Sequence, residues 1–293
     1  MNPGAGSTAP GRVTGKVIVV TGAARGQGAA EARALAEHGA HVVATDVVAA
    51  ADVENGELDG HGDAIVYRQL DVGDSAGWAA LATWLREEYG QVHGLVNNAG
   101  LAHRARLMDV ELTDWERLFR VNATGPLLGI QAIAPLMRPG ASIVTIGSVA
   151  AITPHYTVAY TASKWAVRAL SKVASLELGP SGIRVNLVHP GYIDTPMVAN
   201  APATFRQANV DSTPLGTVGR VEDVANLIVF LLSDESAYIS GAEIAVDGGF
   251  SNQAGVKALS DAVLAAAPTE AAAATGSAAP TGSAGTASGE TGA

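Results

Sequence analysis

Seven short apolar runs recur along the chain, and most of the gaps between them carry apolar residues at helical spacing. The runs are KVIVVT (16–21), AHVVATD (40–46), AIVYRQL (64–70), HGLVNN (93–98), SIVTIG (142–147), RVNLVH (184–189) and EIAVDG (243–248). Runs this short, rich in Val and Ile and poor in polar alternation, read as strands buried on both faces. Helical periodicity occupies 26–38, 75–89, 113–136, 158–178 and 221–233, with Thr113 and Glu116 at the spacing of a capping box. The gap after Asp46 carries little of it. Strands alternating with helices imply an α/β, doubly wound fold: about seven parallel strands, helices on both faces and right-handed crossovers. Ligands on such a sheet bind beyond the C-terminal strand ends.

Composition narrows the function classes. The chain has 293 residues, 48% of them hydrophobic and 16% charged, enough for one large core. It has no cysteine, so no disulfide, thiolate nucleophile or cysteine-held metal is available, which fits a cytoplasmic location. A formal net charge of -10 argues against nucleic acid and anionic membrane surfaces as partners. No apolar run approaches the roughly 18 residues of a membrane span. The N-terminus lacks the apolar stretch of a secretory signal. Residues 1–14 read as a flexible extension and 15–258 as the single catalytic domain. The Ala/Gly/Ser/Thr/Pro tract 265–293 reads as a disordered tail, with too little to bury to offset its ordering entropy.

The first strand runs into Thr21-Gly22-Ala23-Ala24-Arg25-Gly26-Gln27-Gly28, and an Ala-rich helix follows. Gly22 permits a tight turn, Gly26 and Gly28 permit close backbone approach, and the helix start offers free N–H groups to a pyrophosphate. The spacing is G-x-x-x-G-x-G rather than G-x-G-x-x-G, but its place at the first strand–helix junction makes it a Rossmann-type dinucleotide turn. Asp46 closes the second strand. A carboxylate there accepts ribose hydroxyls and repels a 2′-phosphate, which favours NAD. Arg25 is the counter-argument, since it could meet that phosphate; no basic residue follows Asp46 in VVAAADVE. Asp71 and Val72, at the third strand end, are candidates for the adenine edge.

Tyr160 and Lys164 lie four apart in a helical segment and so share a face. A phenol with a pKa near 10 is a poor base at neutral pH, and a neighbouring ammonium favours phenolate. Such a pair can act as general acid in ketone reduction and general base in alcohol oxidation. Pro126 lies four residues after Asn122 and would free the Asn122 carbonyl from its helical bond.

Over about residues 14–250 the sequence resembles the short-chain dehydrogenase/reductase family. The resemblance is carried by TGAARGQG (21–28), Asp71, NNAG (97–100), Asn122, Ser148, Tyr160 with Lys164, and the Pro190-Gly191 turn reaching Thr195. Several stretches resemble in particular the bacterial 3α,20β-hydroxysteroid dehydrogenases of that family. The resemblance implies Tyr160 as acid/base, Ser148 as the hydroxyl that orients the substrate oxygen, Lys164 as the ribose-binding residue that lowers the Tyr160 pKa, and Asn122 as holder of a relay water. It implies cofactor contacts at Asn98, Ala99, Gly100, Ile193 and Thr195, and a homotetramer. Two departures stand out: Ser148 precedes Tyr160 by 12 residues where 13 is more usual, and Gly147 stands where the family often has serine.

By the same resemblance the segment 192–216, with little regular periodicity, forms a substrate lid. Ala150, Tyr156, Tyr192 and Met197 are the expected substrate contacts, in an apolar pocket for a hydrophobic secondary alcohol or ketone. His103, Arg104 and Arg106 could bind a polar substrate group, although their composition favours a solvated loop. The expected activity is NAD-linked interconversion of such an alcohol and its ketone. The alternatives are a 3-oxoacyl-type reductase, which would want a basic docking surface, and a catalytically silent NAD-binding scaffold, which the Asn122, Ser148, Tyr160 and Lys164 set disfavours.

Overall fold

The apolar runs pair into one parallel sheet. In the computed structural model, which describes residues 11–53, 57–58, 60–199 and 201–266, the strands are β1 (Val17–Thr21), β2 (His41–Asp46), β3 (Ile65–Gln69), β4 (Gly94–Asn97), β5 (Ser142–Ile146), β6 (Arg184–Pro190) and β7 (Glu243–Val246). Their order is β3-β2-β1-β4-β5-β6-β7 and each neighbouring pair is parallel. The order reverses between β1 and β4, so a crevice opens there at the C-terminal strand ends.

Side chains alternate across the sheet and build a core on each face. Ile18 and Val20 of β1 pack with Ala32 and Leu35 of α1 (Gly26–Glu37) and Ile228 of α7 (Val221–Leu232). Val19 faces the other way, towards Trp78 and Leu85 of α2 (Ser75–Tyr89) and Ile130 of α4 (Gly125–Ile133). The ends of α2 are specified locally: Asp74 accepts the Ala76 and Gly77 N–H groups at 3.0 and 3.1 Å, and Gly90 leaves the helix at φ 73°. No α-helix lies between β2 and β3 among the described residues, only 3₁₀ turns at Ala50–Asp52 and Gly62–Ala64.

Three expectations are corrected. The helical stretch 113–136 is not one helix. It divides into α3 (Leu112–Phe119), a π-helical turn over Arg120–Thr124, α4 and a 3₁₀ turn. Pro126 cannot donate to the Asn122 carbonyl, and the chain widens there, with Gly125 N–H bonding to the Arg120 carbonyl. The helix also starts one residue before Thr113, so Thr113 lies inside its first turn and caps nothing. The segment 192–216, expected as a lid, contains a helix, α6 (Ala203–Ser212), whose lack of a buried face explains its weak sequence signal.

The packed chain begins before residue 15: Val13 is fully buried, and Arg12 pairs with Glu235 at 2.6 Å. The contacts divide the chain into two units, Met1–Gln253 and Ala254–Ala293. In the second, α8 (Val256–Ala266) carries a Lys257–Asp261 ion pair one turn apart. The expected tail lies, from residue 267 on, outside the described residues, as do residues 1–10. No described helix is long and apolar enough to cross a membrane.

Candidate active site

A cavity of about 880 Å³ occupies the crevice beyond β1 and β4. Its glycine wall is sterically closed to side chains. A Cβ at Gly28 would lie 2.2 Å from the Gly22 carbonyl oxygen and 2.4 Å from Asn98 Nδ2; Gly22 and Gly26 adopt φ 69° and 60°. Asn98 secures the turn by donating to the Thr21 and Gly22 carbonyls at 2.9 and 3.2 Å. The N-terminus of α1 has no side-chain cap and no acidic residue in its first turn. An uncapped helix start behind a bare glycine turn is the surface a pyrophosphate requires, so the residues present fit a dinucleotide.

The other expected cofactor residues line the same cavity: Arg25, Gln27, Asp46, Asp71, Val72, Ala99, Gly100, Pro190, Gly191, Ile193 and Thr195. Asp46 is pinned by the Ala24 and Val48 N–H groups at 3.1 and 3.3 Å. Asp71 pairs with Arg120, the first residue of the π-helical turn, at 2.9 Å. Arg117 and Arg120 line the cavity too and were not anticipated; on the sequence they look like the solvated face of an amphipathic helix.

Ser148, Tyr160 and Lys164 meet on the opposite wall. Ser148 follows β5, and Tyr160 and Lys164 sit in the first turns of α5 (Val158–Leu178). Burial holds the Tyr160 phenol above its ordinary value; the neighbouring Ser148 hydroxyl offsets this only in part, and the lowering expected from Lys164 does not appear. The 12-residue spacing therefore still brings these groups together. Lys164 is buried and donates to the Ile146 carbonyl at 2.8 Å; its ammonium stands 5.7 Å from the centre of the Tyr160 ring. Burial lowers its pKa to about 8.

Asn122 stands behind this wall, buried in the π-helical turn. Its side chain accepts the Leu101 N–H at 2.8 Å and donates to the Leu101 carbonyl and Ser163 Oγ at 2.9 and 3.0 Å. Ser163 in turn donates to the Tyr160 carbonyl at 2.8 Å. Asn122 thus ties the segment after β4 to the helix carrying Tyr160.

Of the expected substrate contacts, Tyr192 and Met197 line the cavity, with Pro196 and Val198 beside them. Phe205 of α6 packs edge-on against Tyr192 at 5.7 Å. Ala150 and Tyr156 do not line it. Ser148 Oγ accepts the Ala150 N–H at 3.1 Å, winding the chain into a 3₁₀ turn that buries Ala150. Tyr156 is 42% exposed, stacks on His155 and carries Arg106 over its ring at 5.1 Å. His103 and Arg104 do reach the cavity.

Sequence and fold comparisons give the family. Residues 22–251 match a family model described as enoyl-(acyl carrier protein) reductase. The trans-4-hydroxycyclohexanecarboxylate dehydrogenase of Sinomonas cyclohexanicum is 40% identical, over 81% of this chain and 93% of its own. The 3-alpha-(or 20-beta)-hydroxysteroid dehydrogenase of Mycobacterium bovis is 44% identical, over 82% and 90%. The solved structure of the Pseudomonas aeruginosa RhlG/NADP active-site complex superposes with a TM-score of 0.77 at 32% identity, covering 83% of this chain and all of that one. The chain belongs to the short-chain dehydrogenase/reductase family. It is an oxidoreductase acting on CH–OH groups with a nicotinamide cofactor.

Proposed function

We propose that the protein is an NAD-dependent dehydrogenase of hydrophobic cyclic secondary alcohols, working with Tyr160 as acid/base. The observation that carries this reading is the convergence, in one cavity, of the glycine cradle and Asp46 on one side with Ser148, Tyr160 and Lys164 on the other. The nicotinamide, when bound, exchanges a hydride with the carbinol carbon. The chain supplies the rest. Tyr160 gives its proton to the ketone oxygen or takes one from the alcohol, and Ser148, on the same wall of the cavity, holds that oxygen. Lys164 binds the ribose. Asn122 keeps the segment after β4 and α5 in register, with its carbonyl as the candidate holder of a relay water.

NAD is favoured because Asp46, with both oxygens held by backbone, lines the cavity, where its charge would repel a 2′-phosphate; Arg25 on the same cavity remains the counter-argument. Tyr192, Met197 and Val198 favour an apolar ring. Both relatives named above act on cyclic alcohols by name, one on a steroid and one on a carboxylate. Arg104, exposed on the cavity, is the counter-charge a carboxylate-bearing ring would use, and this supports an anionic substrate as a second reading. Exposed Trp165, Val173 and Leu176 along α5 support a homo-oligomer, with a tetramer as the family expectation.

A panel of neutral cyclic alcohols, hydroxysteroids, hydroxycyclohexanecarboxylates and 3-oxoacyl thioesters, assayed with the oxidised or reduced forms of NAD and NADP in parallel, tests both readings. Turnover of cyclic alcohols with NAD supports the first. Turnover confined to 3-oxoacyl thioesters, or none, refutes it.

A further inference from the structure

Behind Ser148 lies a polar group that the chemistry above does not use. His189 of β6 is fully buried, yet both ring nitrogens have polar neighbours. Nδ1 stands 2.9 Å from the Ser148 carbonyl oxygen and 3.3 Å from the Ser148 nitrogen, and Nε2 stands 3.3 Å from a carboxylate oxygen of Glu243 on β7. With only Nε2 protonated, the ring donates to Glu243 and accepts the Ser148 N–H. With both nitrogens protonated, it donates to Glu243 and to the Ser148 carbonyl. In either state it is bonded to the main chain of Ser148 itself.

Glu243 grips a second line to the same turn. It pairs with Arg168 Nε at 2.7 Å and with Lys172 Nζ at 2.8 Å, both from α5. Arg168 then donates to the Ala151 carbonyl at 3.1 Å. One carboxylate thus holds the turn 148–151 at both ends, through His189 at Ser148 and through Arg168 at Ala151. The same contact explains Gly147. A Cβ there would lie 2.6 Å from His189 Nδ1 and 2.9 Å from Cε1, so the glycine is what admits the ring. A buried imidazole needs such partners to offset its desolvation, where an apolar side chain would fill the space without them.

We propose that His189, backed by Glu243, is a positioning residue for the reaction: it fixes the Ser148 main chain and thereby aims the serine hydroxyl at the substrate oxygen. The proposal rests on the reading of Ser148 given above. Misplacing an orienting group by about 1 Å can cost on the order of a hundredfold in rate, so a loss of about tenfold to hundredfold in kcat is expected when the tie is cut.

The test is a double-mutant cycle between His189 and Ser148, read as kcat and alcohol KM, with NADH affinity by fluorescence and Tm as controls. His189→Leu should lower kcat by roughly tenfold to hundredfold while NADH affinity stays within about threefold. His189→Asn, whose amide can occupy the Nδ1 position, should recover most of that rate. In a Ser148→Ala background, His189→Leu should cost less than about twofold more, since there is no hydroxyl left to aim. If His189→Leu does not fold, Glu243→Gln serves instead, with a smaller loss that also vanishes in Ser148→Ala. The proposal is overturned by a wild-type kcat in His189→Leu, by Asn no better than Leu, or by an equal loss in the Ser148→Ala background; for the substitute variant, a wild-type kcat in Glu243→Gln overturns it. Wild-type turnover in Ser148→Ala alone overturns the reading beneath it, and the proposal with it.

Discussion

Replacing Asp46 with serine separates the two cofactors by a calculable amount. In the folded chain the carboxylate accepts N–H groups from Ala24 and Val48, and its remaining lone pairs face the cavity. A charged hydrogen bond to a ribose hydroxyl is worth about 1.5–3 kcal/mol, roughly a tenfold to hundredfold factor in kcat/KM. Asp46→Ser gives up that contact with NAD. With NADP it removes a repulsion against the 2′-phosphate and leaves Arg25, exposed on the same wall, to meet the phosphate. The substitution also loosens the backbone around Ala24 and Val48. That cost falls on both cofactors alike, so the ratio of kcat/KM values isolates the recognition term. Steady-state kinetics with each cofactor should show a wild type preferring NAD by about tenfold or more and a variant in which the ratio collapses or inverts. A wild type that prefers NADP refutes the reasoning. An unchanged ratio in the variant moves the discrimination to the turn around Arg25.

Three further outcomes follow from the geometry. Gly28→Ala should abolish NADH binding in a fluorescence titration, or prevent folding, because its Cβ would overlap the Gly22 carbonyl; near-normal binding would contradict the packed turn. Lys164, lowered by burial to about 8, is charged below that pH and neutral above it; NADH affinity should therefore weaken several-fold from about pH 7 to 9.5, whereas Lys164→Met should bind weakly at every pH, and a flat wild-type profile would count against the ribose role. Glu31 of α1 is fully buried, has one oxygen without a hydrogen-bond partner, and is pushed up by burial to about 8 from 4.5. The folded state then holds a proton that the unfolded state releases, so this contribution is full below 4.5 and is lost as pH rises to about 8, at up to about 1.4 kcal/mol per pH unit; Glu31→Gln should flatten the melting profile across that window, and identical slopes would refute the assignment.

The parts legible in the sequence were those set by local rules. Seven β-branched runs named the strands, because strands buried on both faces leave little room for polar residues. The glycine turn was legible because its conformations exclude side chains. Tyr160 and Lys164 were legible from helical spacing. What escaped depends on distant pairing. Pro126 signalled a freed carbonyl at Asn122 but not the π-helical form of Arg120–Thr124, and α6 has no buried face to impose a period. Ala150 looked like a pocket residue because it follows Ser148, but the 3₁₀ turn there buries it, and Tyr156 stands exposed between His155 and Arg106 instead. His189 read as one residue of an apolar strand; only the pairing of β6 with β5 and β7 sets it between Ser148 and Glu243. Gly147 looked like a lost hydroxyl, and the structure makes it the space that His189 fills.

The central claim is that the Tyr160 hydroxyl transfers the proton, and Tyr160→Phe isolates that one atom. The ring remains in the wall beside Lys164, so the cofactor surface is preserved. General acid–base catalysis contributes about 10²–10⁴-fold. With NAD and a cyclic secondary alcohol, the variant should lose at least about a hundredfold in kcat while NADH affinity stays within a few-fold. A variant that keeps most of the wild-type kcat would contradict the account.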